Sequence, residues 1–277
     1  MGGSRDSGLF GPGSIVWRVN REGSLLIGGG AAAILQVAHP LVAAGVGEHS
    51  RYQVDPWGRL QRTLDITTRI AFGSTEVAGK AARAIQMAHK RVHGELPWDA
   101  GRFPAGTPYD AGDPELQMWV HATLVATSLT VYTRWVAPLS IAEQRQYYEE
   151  QKTMGEAFGV PRDQQPATLA DFFDYYDEML DSDALASTPV LHEVADSILH
   201  PDLPLGGRPL SDAVGLATAG LLTPRWREEL GLPWSPNRER LLEASRFVLR
   251  RTLPLLPGIV REFPGARIAD RRVKTAA

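Results

Sequence analysis

Five of the seven histidines in this 277-residue chain, His39, His49, His89, His93 and His121, fall in its first half. Imidazole is the side chain that ligates a metal or moves a proton near neutral pH, so these residues mark where such chemistry could sit. His89 and His93 are four apart and on a continuous helix would share a face, giving a two-ligand metal edge. The plainer reading of His93 is a cap, because it precedes Gly94, a helix stop, where the dipole stabilises a partly charged ring. His89 closes the run Ala84-Ile85-Gln86-Met87-Ala88-His89, with Ile85 and Val92 near the same stripe. A hydrogen-bonded core histidine and a ligand both fit that setting, and both fit His121 in Trp119-Val120-His121-Ala122-Thr123-Leu124.

A second constellation lies in GVGEHSRYQVDPWGRLQRT, residues 45–63, which carries His49, Arg51, Arg59, Arg62 and Thr63. Arg59, Arg62 and Thr63 are at helical spacing on one face. A guanidinium is always charged and near a buried face it takes an anion. That anion is a carboxylate such as Asp55 or Asp65, or, more sharply, a haem propionate or a bound oxygen species.

Other chemistries are excluded by what is missing. Without cysteine there is no disulfide, zinc finger, iron–sulfur cluster, thiolate nucleophile or thiolate-ligated haem. No Glu-x-x-His pattern supports a carboxylate-bridged di-iron bundle, and His-Glu-x-x-His and Gly-x-Ser-x-Gly are absent. The run Gly28-Gly29-Gly30 has neither the spacing nor the strand-turn-helix setting of a nucleotide loop, and is assigned to close helix packing. A net charge of -3 gives no reason to expect nucleic acid as a partner.

Helix punctuation supplies the elements that must hold these residues. A buried helix is expected over 24–46, bent or stopped at His39-Pro40, followed by helices over 57–72 and 75–93 and a loop over 94–112. Asp113-Pro114-Glu115 starts a helix to about Val136, and the capping box Ser140-Ile141-Ala142-Glu143 starts one to Phe158. Further helices are expected over 169–180, 188–199, 211–222 and 235–253, with a short one between Pro224 and Gly231. The result is an all-α chain, one domain over 1–277 with nine or ten helices, a core at about 15–253, and flexible ends at 1–14 and 267–277. The apolar stretch Leu25–Val46 is broken by Gln36, His39, Pro40 and glycines and is read as buried, not as a membrane span. No signal-peptide pattern opens the chain, so a cytoplasmic location is expected.

The ordered set Gln36-x-x-His39-Pro40, His49-Ser50, Asp55-Pro56-x-x-Arg59-x-x-Arg62-Thr63, His89-x-x-Val92, Tyr109-x-Ala111-x-Asp113-Pro114 and Trp119-Val120-His121-Ala122-Thr123 resembles the latex-clearing-protein and MpaB-like oxygenase family over most of the chain. The resemblance implies a globin-like multi-helix domain enclosing haem b, with dioxygen as co-substrate. His89 matches the proximal iron ligand. Arg59 and Thr63 match the distal pattern, with Arg62 where rubber-cleaving members carry a lysine. His121 matches a second family histidine that supports the pocket, and His49 falls among the cofactor-binding candidates. Glu48 is the nearest candidate for the distal glutamate of the rubber enzymes and matches it poorly, so polyisoprene cleavage is not implied.

The expected function is therefore oxygenation of a small apolar or aromatic intracellular molecule, with an electron donor as a further possible partner. The alternatives are a haem enzyme of oxidative coupling or dehydrogenation, and a non-catalytic protein that binds haem or another small ligand. The sequence carries no signature of oligomeric state and none of substrate identity.

Overall fold

The computed structural model describes residues 6–50, 56–201 and 208–275. Among these, fourteen α-helices, more than the nine or ten expected, make up the regular structure with three 3-10 segments, one π-helical turn (Tyr132–Val136) and a single two-stranded sheet, so the chain is all-α. The helices are α1 (Ile15–Asn20), α2 (Gly29–Val37), α3 (Pro40–His49), α4 (Pro56–Phe72), α5 (Thr75–His89), α6 (Pro114–Val131), α7 (Ile141–Phe158), α8 (Leu169–Asp181), α9 (Pro189–Leu199), α10 (Arg208–Leu221), α11 (Pro224–Glu229), α12 (Pro236–Thr252), α13 (Gly258–Arg261) and α14 (Pro264–Thr275).

The central element is α6. Asp113 accepts from the Glu115 N–H and Pro114 takes the first helical position, so the sequence fixes its start. It is apolar on almost every side and is accordingly surrounded, by α2, α7, α8 and the 3-10 segment Gly23–Gly28. Met118, Ala122 and Val125 join Trp17, Tyr147 and Phe172 in one part of the core, while Trp119 joins Leu35, Leu191 and Trp226 in another.

Three departures from the sequence reading have local causes. Residues 24–46 break at His39-Pro40 as expected, by a stop and not a bend, and depart from expectation in opening with the 3-10 segment Gly23–Gly28 before α2 and α3, with α3 turned by 103° from the first two. The residue before a proline is pushed out of the α region, and His39 is extended at φ -79° and ψ 117°, so Pro40 opens a new helix instead of bending an old one. Two of the three glycines in the run serve close packing as expected: a Cβ on Gly30 would lie 2.4 Å from Thr218 Oγ1, and one on Gly28 would lie 3.0 Å from Val131 Cγ2, while Gly29 faces open space.

Helix α5 stops at His89, four residues short of expectation, and His93–Glu95 forms β1, paired antiparallel with β2, Pro108–Asp110. Gly94 is therefore no helix stop. It lies opposite Tyr109, where a Cβ would come within 2.7 Å of the phenol oxygen. The stretch 267–277, expected to be frayed, is helical through Thr275: Ala266 and Ala269 are fully buried and α14 packs on α4. At the other end, Asp6 accepts from the Thr75 N–H and hydroxyl, and Phe10 is buried. Among the described residues no single helix is long and apolar enough to cross a membrane, and the one pair that passes by length and composition is the bent pair of residues 23–37 and 40–49, buried in part in the core.

Candidate functional site

His89 is the last residue of α5, a helix opened by Ser74, whose hydroxyl accepts from the Val77 N–H. Its ring is half-buried, and burial lowers its pKa below the ordinary 6.5, which keeps the imidazole neutral at pH 7. A neutral imidazole is the form that ligates metal. Gln117, in the first turn of α6, donates through Nε2 to His89 Nδ1 at 3.2 Å and to the Ala111 carbonyl at 2.9 Å. With Nδ1 accepting, the ring proton of this tautomer sits on Nε2. The other end of the amide, Gln117 Oε1, is buried without a hydrogen-bond partner and would be 2.5 Å from a Cβ on Gly159. Gly159 in turn lines an open hollow of about 310 Å3 with Gln86, Glu156, Val160 and Pro161.

Gln117 was not among the residues singled out from the sequence. A glutamine placed one helical turn before His121 on an apolar helix is a signal, since a buried amide demands partners.

His121 is 2 % exposed. Its Nε2–H donates to the Gln151 carbonyl of α7 at 3.0 Å, its ring meets Phe158 edge-on, and Nδ1 is buried without a partner. Burial pushes its pKa down to about 4. His39 behaves similarly: buried, with Nδ1 unpartnered, it packs on Phe103, and burial, helped by the nearby Arg102 charge, takes its pKa to about 4.

A third group gathers where α3 ends against the β1–β2 hairpin. The Tyr109 hydroxyl donates to Glu48 Oε2 at 2.5 Å, and burial together with that carboxylate raises the phenol pKa. His49 Nε2–H donates to the His93 carbonyl at 3.3 Å, and its ring stands edge-on to Tyr109. The side chain of His93 is exposed on β1. Because the helix ends at His89, the two-ligand edge of His89 and His93 does not form, and neither does the helix cap expected of His93.

The distal candidates are on α4, which packs against α5. Arg62 and Thr63 are exposed there. The side chains of Arg59 and Trp57 lie outside the described residues, as do Arg51 and Asp55 altogether. Asp65 pairs with Arg69 one turn along the same helix at 2.8 Å, so that carboxylate has a local cation.

No group of three or more His, Cys, Asp or Glu side chains among the described residues is placed to hold a bare metal ion. A porphyrin supplies four of iron's ligands itself and needs one axial side chain, and a single neutral, half-buried histidine fits that requirement.

The family model for the catalytic domain of the ER-bound oxygenases mpaB and B' and of rubber oxygenase matches residues 17–251. The uncharacterized proteins Mb2261 of Mycobacterium bovis and Rv2237 of Mycobacterium tuberculosis are each 28% identical to the chain over 234 residues, which cover 82% of this chain and 88% of theirs. No solved structure matches significantly.

Proposed function

The chain belongs to the family of the mpaB and rubber oxygenase catalytic domains, and on that premise we propose that it is a haem b-dependent oxygenase of a small apolar or aromatic molecule. The observation that carries this reading is the half-buried, neutral His89 held by Gln117 beside an unpartnered buried carbonyl oxygen. His89 is the residue that would hold the haem iron, through Nε2. An imidazole that ligates through Nε2 carries its proton on Nδ1, and His89 Nδ1 would then need an acceptor. Gln117 Oε1, the buried amide oxygen without a partner, would be the acceptor to turn toward it, at the expense of the present Nε2 bond to the Ala111 carbonyl. Such a bond fixes the ring orientation and raises its basicity as a ligand.

Haem, when bound, supplies the redox-active iron on which the use of dioxygen depends. Arg59 and Arg62, as permanent cations on α4, serve to hold propionates or other negative charge, and Thr63 adds a hydroxyl donor. His121, anchored to the Gln151 carbonyl, acts as a positioning residue that fixes α6 against α7. His49 lies at the rim, where it ties the end of α3 to β1.

Absorption spectroscopy of protein produced with a haem supply tests the reading. A Soret band is expected, lost in His89→Ala and kept in His93→Ala. Colourless wild-type protein overturns it. In a coloured protein, Arg59→Ala is expected to reduce substrate-dependent dioxygen consumption more than it reduces haem content.

A further inference from the structure

The C-terminal quarter of the chain leaves large apolar side chains in water. On α12 the residues Leu242, Leu249 and, just beyond it, Leu253 face the interior. The opposite side carries Leu241, Phe247 and Val248, which with the following turn forms an exposed stripe. The stripe runs on into Leu255, Ile259 and Val260, which are 82%, 70% and 68% exposed. Contiguous apolar surface of this kind marks an interaction site.

Charge identifies the partner. From Pro236 to Lys274 there are ten arginines and lysines against four acidic residues, in a chain whose net charge is -3. Glu262 and Asp270 are engaged by Arg21, while among the cations Arg246 pairs with Glu243 and Arg261 with the buried Glu22. Arg250 and Arg251 are exposed beside the apolar stripe, and the Arg251 guanidinium lies over the Phe247 ring at 3.5 Å. An aliphatic and aromatic patch rimmed by arginines suits an anionic lipid surface, where the apolar groups enter the acyl boundary and the guanidiniums meet headgroup phosphates. A second copy suits it less, because a two-fold contact would bring this cationic surface against itself.

We infer that the face formed by α12, the turn at Leu253–Leu255 and α13 docks the protein on an anionic bilayer surface without spanning it.

Co-sedimentation of the full chain with phosphatidylcholine vesicles, with and without phosphatidylserine, tests the inference. Retention is expected only with phosphatidylserine and is expected to fall as salt rises. Leu255→Asn/Ile259→Asn/Val260→Asn is expected to weaken partitioning by about tenfold or more. Arg250→Gln and Arg251→Gln should weaken it by about fivefold each. Thermal melts by circular dichroism confirm that these surface variants stay folded. Absence of retention on phosphatidylserine vesicles at low salt overturns the inference. So does equal retention on neutral vesicles, or a solution dimer dispersed by the triple variant in a protein that ignores lipid.

Discussion

His121 gives the sharpest test of how this core is held. In the folded chain burial lowers its pKa to about 4, from 6.5 in the exposed ring. A histidine with a depressed folded pKa is neutral in both states above 6.5, and there it has no effect on the pH dependence of stability. As pH falls below 6.5 the unfolded chain takes up the proton first, so stability is lost progressively until the folded pKa near 4 is reached. The loss runs at about 1.4 kcal/mol per pH unit and totals about 3 kcal/mol for this side chain. His121→Gln removes the titration while an amide N–H can still donate to the Gln151 carbonyl. Urea unfolding followed by far-ultraviolet circular dichroism from pH 7 to pH 4.5 should show the wild type losing about 2–3 kcal/mol more than the variant, whatever their difference at pH 7. Carboxylates titrate in both proteins and cancel in the comparison. Parallel stability profiles would show that His121 is already solvated or protonated in the folded state, and the assignment of a dry, Gln151-bound ring would fail.

Two further outcomes follow from contacts in the core and at the candidate site. Gly30→Ala puts a methyl 2.4 Å from Thr218 Oγ1 and is expected to cost about 1–3 kcal/mol. Gly29→Ala, with nothing within 4 Å of its Cβ, should be neutral or stabilising by up to about 1 kcal/mol, as read by chemical denaturation. If His89 binds iron, Gln117→Leu removes the partner of its Nδ1 and should weaken haem affinity by about 10–100-fold in apoprotein titrations. Unchanged affinity would separate Gln117 from the ligand.

The helical class was legible because caps are local chemistry. Ser140 with Glu143 and Thr168 with Asp171 both form the reciprocal capping box, and Asp113-Pro114 starts α6 where the sequence placed it. What the sequence concealed depends on partners distant along the chain. Gly94 reads as a helix stop until Tyr109 is seen opposite it. The arginines of 267–272 suggest a solvated tail, yet Ala266 and Ala269 between them bury against the body, a contact too small to announce itself by hydropathy. At the candidate site the histidine was legible and its partner was not, because nothing in the sequence ties Gln117 to a residue 28 positions earlier.

Asp6 binds the start of α5 through Thr75, while Arg272 donates to the carbonyls of Asp6 and Gly73 at the same corner. The Asp6–Arg272 contact spans 266 residues. The turn between the helices that carry the distal and proximal candidates is thus clasped by both outlying segments of the fold. A closure of that length carries a large loop entropy and is expected late in folding. During synthesis, the α4–α5 hairpin leaves the ribosome long before α14 exists to brace it. A nascent chain therefore carries the α4–α5 hairpin before its turn is braced, and only the completed chain fixes the turn end of the two helices, opposite the end that bears His89.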